Sequence, residues 1–339
     1  MVHAAIVGLG WWGKIITKTL EASGKIRVIA AVEPNQEAGR AFCEQAGIRY
    51  YENFEDVLGE RDVDVVILTS PHRFHEEQII KAASAGKHVF CEKPLALSLD
   101  AATRAVKACI AQDVRLGIGH ERRFEPPMVL LQNLFRDGVL GELLQIEGNF
   151  SHDKFLALAP DNWRLSRAEA ACGPMTATGI HLLDLSVSLG KGAREVYATN
   201  RSLVTGFESG DSLSSNISLS NGAVAAINAN LATPFYSRFT VFGSRGWIEI
   251  RDKSHVEAPT GWTMLRSSAS GQPTITDYPV ASPVLTNLEA FADAVRGTQK
   301  DYPVPLQEML DTVAALEAVF ESTLNGNIVH ARSVNVDGM

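Results

Sequence analysis

Just after a short apolar run at the start of the chain stand Gly8, Gly10 and Gly13, spaced G-x-G-x-x-G, with Trp11 and Trp12 between the last two. Each glycine has a separate task. The first permits a tight turn, the second lets backbone approach a pyrophosphate, and the third allows a helix to pack closely on a strand. A diphosphate would rest on the N-terminus of the following helix, where unbonded N–H groups and the helix dipole favour an anion. Twenty residues past Gly13 is Glu33, at the end of the second β-rich run. A carboxylate there accepts both hydroxyls of an adenosine ribose and repels a 2′-phosphate, which favours NAD over NADP. Pro34 and Asn35, which follow, supply no arginine for such a phosphate. Trp11 and Trp12 are placed to pack over a dinucleotide, with at least one covering core.

Other residue types point away from other chemistries. His72 and His75 have H-x-x-H spacing, but no carboxylate or thiol partner lies close in sequence, so no metal site is expected and His75 reads as a loop-organising or cofactor-side residue. Cys43, Cys91, Cys109 and Cys172 lack C-x-x-C spacing, as suits reduced, buried thiols. The formal charge of −8, with no clustered Lys or Arg, argues against a nucleic-acid partner. No apolar run reaches the eighteen or so residues of a membrane span, and the chain leads directly into a strand pattern, so the expected location is the cytoplasm, away from membranes.

The elements that must position these residues fall into two patterns. At 339 residues the chain is long for one core, and two domains are expected, 1–122 and 123–339. The first alternates short β-rich runs at 4–7, 27–32, 48–51, 64–70, 88–92 and 114–119 with helical stretches at 13–22, 73–85 and 99–111. This is the signature of βαβ units, a doubly wound parallel sheet of Rossmann type. Ser98 reads as an N-cap, with Asp100 in the first turn. Beyond Phe124 a helix (128–137), a strand (142–150) and a second helix (181–189) precede strands at 195–200, 212–220, 223–231, 237–243 and 247–252. Asn221-Gly222 predicts a hairpin. Residues 252–283 read as a loop with one short strand, and helices close the chain at 287–296 and 306–324. The second domain is thus α+β with an open, mostly antiparallel sheet.

Four further segments complete the pattern: Thr69-Ser70-Pro71-His72-Arg73-Phe74-His75, Cys91-Glu92-Lys93-Pro94, Gly119 to Phe124, and Gly179 to Asp184. With the glycine loop they resemble the glucose-fructose oxidoreductase and inositol dehydrogenase family, Gfo/Idh/MocA, over nearly the whole chain. The resemblance implies a two-domain pyridine-nucleotide enzyme acting on sugars, cyclitols or related alicyclic alcohols. Position by position, Lys93 matches the active-site lysine and His181 the catalytic histidine. Glu92 and the loop of Thr69, Ser70, Pro71, His72 and His75 match segments that contact cofactor near the nicotinamide, and Arg122 joins them. Lys93-Pro94 resembles a site that often holds a cis peptide. The family's open sheet often pairs across subunits, which implies a homodimer or homotetramer. Two positions depart from the pattern. Ala177 stands where many sugar dehydrogenases of the family carry the aspartate of D-x-x-x-H, and Glu121 stands where Asn is common. Asp184 matches a common family acid and reads as a packing or backbone-orienting group.

Oxidising a secondary alcohol needs a hydride acceptor held against the carbinol carbon and a group that removes the hydroxyl proton. His181 suits proton removal, since its ordinary pKa lies near neutrality. Lys93 suits stabilisation of a developing alkoxide, and together the two residues could share the proton. Candidate substrate contacts are His152, Asp153, Lys154, Trp163, Arg164 and Arg123, beside Lys93 and His181; Lys154 and Arg164 could also hold a carboxylate. The reading is an NAD-dependent dehydrogenase for a small sugar-like or polyol substrate. Its rivals are an NAD-dependent glycoside hydrolase of the same fold and a non-catalytic sugar- or nucleotide-sensing protein.

Overall fold

The computed structural model describes every residue except 256, 257, 269 and 270. The chain forms two compact units. The first comprises Met1–Glu121, Val284–Met309 and Asn335–Met339. Its strands are β1 (Val2–Val7), β2 (Ile26–Val32), β3 (Arg49–Tyr51), β4 (Val65–Leu68), β5 (His88–Cys91) and β6 (Leu116–Ile118). They form a sheet in the order β3-β2-β1-β4-β5-β6 with every pair parallel, the doubly wound order expected of a dinucleotide-binding fold. Helices on both faces leave no room for polar side chains inside, which is why β4 reads Val-Val-Ile-Leu with all four residues buried.

The helices of this unit are α1 (Trp11–Leu20), α2 (Gln36–Ala46), α3 (Phe54–Leu58), α4 (His75–Ser84) and α5 (Leu99–Ala111). The expected cap on α5 is present, Ser98 Oγ accepting from the Ala101 N–H at 3.3 Å. Helices α2 and α3 go beyond the expected elements, although α2 carried signals at both ends. Asn35 Oδ1 accepts from the Ala38 N–H at 3.0 Å, and Gly47 closes the helix at φ +65°. Residues from far along the chain complete this core. From α8 (Pro283–Val295), Phe291 packs edge-on against Phe90 at 5.5 Å, and Asn287 donates to the Ile118 carbonyl at 2.9 Å. Gly117 must be small, because a Cβ there would stand 2.6 Å from the Phe291 ring.

The second unit comprises Arg122–Pro283 and Leu310–Val334. Helix α6 (Pro126–Arg136) precedes β7 (Leu143–Ser151), and α7 (Ile180–Gly190) precedes β8 (Ala193–Arg201). Then come β9 (Ser212–Leu219), β10 (Val224–Asn230), β11 (Tyr236–Gly243), β12 (Gly246–Asp252), β13 (Trp262–Ser268) and β14 (Thr274–Tyr278). Helix α9 (Leu306–Asn325) supplies its residues from Leu310 onward, and β15 (Val329–His330) ends the unit. The nine strands run β14-β13-β12-β11-β7-β10-β9-β8-β15, antiparallel except where β7 meets β10. The hairpin at Asn221-Gly222 joins β9 to β10, with Gly222 at φ +94°. One expectation needs correction: 252–283 holds two paired strands, β13 and β14, rather than one. Thr274 to Asp277 of β14 are all exposed, so apolar periodicity gave little signal. Positions 256, 257, 269 and 270 of that stretch lie outside the described residues.

Alternate residues of β9 and β10 are buried, so one face of the sheet is covered. Helix α7 lies there, buried from Ile180 through Val187. Gly148 of β7 admits it, since a Cβ at that position would lie 3.0 Å from Leu182 Cδ1. Among the described residues no helix is long and apolar enough to cross a membrane.

Candidate active site

In the first unit the glycine loop leaves β1 and turns into α1, and the three glycines differ as their spacing predicts. Gly8 takes φ +98°, which side chains rarely adopt. A Cβ on Gly13 would lie 2.1 Å from the Gly8 carbonyl oxygen, so only glycine lets the helix start this close to the turn. A Cβ on Gly10 would meet nothing within 4 Å, which leaves the backbone open to a ligand. This is a cradle for a pyrophosphate, and the residues present fit NAD. Thr69 braces it, donating from Oγ1 to the Gly8 carbonyl at 2.6 Å. Glu33 ends β2 with one carboxylate oxygen accepting from the Leu9 N–H at 2.8 Å and the other from the Asn35 N–H at 3.0 Å. The carboxylate after β2 is therefore tied to the glycine loop itself. Trp11 is exposed and Trp12 half-buried, their rings 5.3 Å apart.

The loops after β4 and β5 meet on one imidazole. His75, at the start of α4, is fully buried, with Nδ1 2.8 Å from the Pro94 carbonyl and Nε2 3.0 Å from the Ser70 carbonyl. Burial pushes its pKa down although both carbonyls favour the charged form. Ser70 Oγ donates to Gln78, and His72 lies edge-on to His75 at 5.8 Å. Pro71 precedes the short 3₁₀ turn His72–Phe74. Lys93-Pro94 is a cis peptide. Glu92 is buried, and burial raises its pKa, against which the Trp12 indole N–H and the neighbouring Lys93 charge act. The Lys93 N–H donates to the Glu92 carboxylate at 3.2 Å, and the Lys93 side chain is half-buried.

In the second unit Phe150, near the end of β7, is the hub of a cluster of rings. His181 of α7 lies 6.2 Å from it, His152 6.3 Å and Phe235 6.3 Å. A single turn of π-helix, Met175–Gly179, delivers His181 to this place. The His152 Nδ1 accepts from the Lys154 N–H at 3.2 Å, which leaves the ring proton on Nε2 when the imidazole is neutral. Asp153 is exposed and Lys154 half-buried, with burial lowering the lysine's pKa. Trp163 and Arg164 stack at 4.3 Å, and burial lowers the Arg164 pKa.

The two arginines expected at cofactor and substrate are placed otherwise. Arg122 is 2% exposed and lies over Phe150 at 5.1 Å, bonded to Glu125 at 3.0 Å, to Ser237 at 3.2 Å and to Asp252. Arg123 is buried and bidentate on Asp184, at 2.6 and 2.7 Å, with Thr312 donating to the same carboxylate. Both act as internal struts. A third imidazole of this cluster was not anticipated: His255, 5.2 Å from His152 and 6.2 Å from Phe150. A lone histidine in a Ser- and Pro-containing loop carries no local signal, and its neighbours are distant in sequence. Among the described residues no three His, Cys, Asp or Glu side chains are grouped to hold a metal ion. The four cysteines are buried free thiols, burial pushing Cys109 and Cys172 up to about 12.

Residues 2–120 match a family model described as an oxidoreductase family with an NAD-binding Rossmann fold, and 128–249 match the Gfo/Idh/MocA C-terminal domain. The chain is 30% identical over 298 residues to the 1,5-anhydro-D-fructose reductase of Ensifer adhaerens, covering 84% of this chain and 88% of the relative. Among solved structures, aldose-aldose oxidoreductase from Caulobacter crescentus, complexed with glycerol, superposes with a TM-score of 0.86 at 26% identity, over 97% of this chain and 99% of that one. Levoglucosan dehydrogenase in complex with NADH shares the fold at a TM-score of 0.86 and 19% identity, over 98% and 100%. With an NAD-binding cradle at one end of its sequence and the matching C-terminal domain after it, the chain belongs to the Gfo/Idh/MocA family of oxidoreductases.

Proposed function

We propose that the chain is an NAD-dependent dehydrogenase that reversibly oxidises a secondary alcohol of a sugar, cyclitol, anhydrosugar or related cyclic diol. The observation that carries this reading is the Glu92-Lys93-Pro94 turn. It follows β5 directly, at the carboxyl ends of the strands where open parallel sheets bind ligands, and its buried carboxylate accepts from the Lys93 N–H. The relative in Ensifer adhaerens acts on an anhydrosugar by its name, which favours a small cyclic substrate.

When bound, NAD supplies the hydride acceptor. The chain's own residues do the rest. The glycine loop holds the pyrophosphate, and Glu33 selects the unphosphorylated ribose, which favours NAD over NADP. His181 takes the hydroxyl proton, and the Lys93 ammonium stabilises the oxygen from which it leaves. Ala177 leaves the helix without the aspartate common in simple sugar dehydrogenases, so the substrate class is kept broad. Exposed Tyr197, Val224 and Tyr236 on the open sheet suit pairing of subunits as a homodimer or homotetramer in the cytoplasm.

A panel of sugars, cyclitols and anhydrosugars, followed by NADH absorbance beside a glycosidase assay, tests the proposal. Net NADH formation is the expected result. Release of sugar without net NADH would establish the glycoside hydrolase instead, and ligand binding with neither reaction would establish a sensor.

A further inference from the structure

Asp252 closes β12, and its carboxylate clamps both ends of the segment that follows. One oxygen is held by Arg122 and Ser237, the other accepts from the Trp262 indole N–H at 2.9 Å, and the Lys253 N–H bonds to the Gly261 carbonyl at 3.1 Å. Between those ends the segment lays His255 over the ring cluster. Its imidazole stands edge-on to His152 at 5.2 Å and to Phe235 at 5.7 Å, and reaches Phe150, the ring that His181 also reaches. Burial is graded. Phe150, His152 and His181 are buried, whereas Phe155, Phe235, Lys154 and His255 are half-buried and form a partly open rim. A rim of rings with imidazole nitrogens among them suits the two surfaces of a cyclic polyol, apolar C–H faces and polar hydroxyl edges.

We propose that His255 is a specificity-determining residue for the dehydrogenase, gripping with His152 a hydroxyl-bearing edge of an uncharged cyclic polyol whose carbon face rests on Phe235. This rests on the dehydrogenase reading above. The charged groups around His255 support it. Desolvation, the Lys154 ammonium and His152 all oppose protonation of His255 while Asp252 favours it, and the net effect lowers its pKa to about 4. Around neutrality the ring is therefore uncharged, with one donor and one acceptor nitrogen, which matches a hydroxyl that both donates and accepts. A carboxylate can only accept, so it satisfies the donor nitrogen of the neutral imidazole and not the acceptor one, while the Lys154 ammonium on the same rim is offset by Asp153. His255 thus favours hydroxyl over carboxylate substituents.

The full-length protein with NADH is titrated with D-glucose and with D-glucuronate, ligand binding being read by saturation-transfer NMR, for wild type, His255→Phe, His255→Ala and His255→Gln. Steady-state kinetics are measured with whichever neutral polyol the substrate panel identifies. The expected result is tighter binding of D-glucose than of D-glucuronate by wild type. In His255→Phe, which keeps the ring and loses both nitrogens, KM for the polyol should rise about tenfold with kcat little changed, as one hydrogen bond of about 1.4 kcal/mol allows. Gln should restore part of the loss. Unchanged polyol binding in both Phe and Ala variants, or a wild-type preference for D-glucuronate, overturns the proposal. NADH affinity, read by quenching of tryptophan fluorescence, reports whether each variant is folded. If no polyol yields NADH, the dehydrogenase reading fails by itself, and the binding comparison still decides the role of His255.

Discussion

Gly119 stands against Glu92 so closely that a methyl group on its Cα would lie 2.5 Å from a carboxylate oxygen. Glycine at this position is what lets the acid fold over the end of β6 and still meet the Lys93 N–H. Gly119→Ala should displace the carboxylate, lower stability by about 1–3 kcal/mol and weaken NADH binding. A wild-type melting temperature together with wild-type NADH affinity would show that Glu92 does not organise the loops.

Lys93 is the residue whose removal should separate chemistry from binding. Lys93→Ala is expected to lower turnover by about 10²–10³-fold, the usual worth of one positioned group that stabilises a developing oxyanion, with NADH affinity nearly preserved. Stopped-flow measurement of hydride transfer beside equilibrium NADH titration makes the comparison. Wild-type turnover in the variant would remove the lysine from the mechanism.

Glu33 has two separable roles, since the same carboxylate accepts from the Leu9 N–H and carries the charge that repels a 2′-phosphate. Glu33→Gln keeps an acceptor for Leu9 and removes the charge. The ratio of kcat/KM for NAD over NADP should fall, while the folded state is retained. An unchanged ratio would mean that cofactor choice lies elsewhere.

The Arg123–Asp184 pair is buried on both sides, at 6% and 2% exposure, so breaking it leaves an unbalanced charge in the core. Asp184→Leu should cost about 3–5 kcal/mol, and Arg123→Met with Asp184→Leu together should cost less than the sum of the two single changes. Urea unfolding of the four proteins closes the cycle. Additive costs would show that the two side chains act independently.

Acid should weaken the fold through histidines that are held neutral. His255 titrates near 6.5 in the unfolded chain and about 4 in the folded protein, and His75 is shifted in the same direction. In that interval the unfolded chain binds more protons than the native one, so the stability is fully present above about pH 6.5 and is lost as pH falls toward 4. The urea midpoint should drop across this window, and less so in His255→Phe. An equal drop in that variant would assign the effect to His75 and the carboxylates.

Where a structural rule acts within a few residues, the sequence was sufficient. The glycine spacing foretold the turn after β1, Ser98 foretold the start of α5 to the residue, and Asn221-Gly222 foretold a hairpin. Helix α2 was equally legible through Asn35 and Gly47, but its weakly apolar face masked it. What escaped depends on partners far apart. Arg123 finds its acid 61 positions away and Arg122 finds Asp252 130 positions away, so neither could be told from a solvated or ligand-binding cation. His255 was hidden for the same reason, Phe150 and His152 lying about a hundred residues earlier in the chain.

The α8 segment has a consequence for biosynthesis. Phe90, Gly117 and the Ile118 carbonyl are covered by Phe291, Asn287 and Tyr302, all supplied after strands β7 to β14 of the second sheet have been made. The portion that leaves the ribosome first is thus among the last to be finished. Until the final segments emerge, its bare apolar edge is the part of the nascent chain that most needs a chaperone.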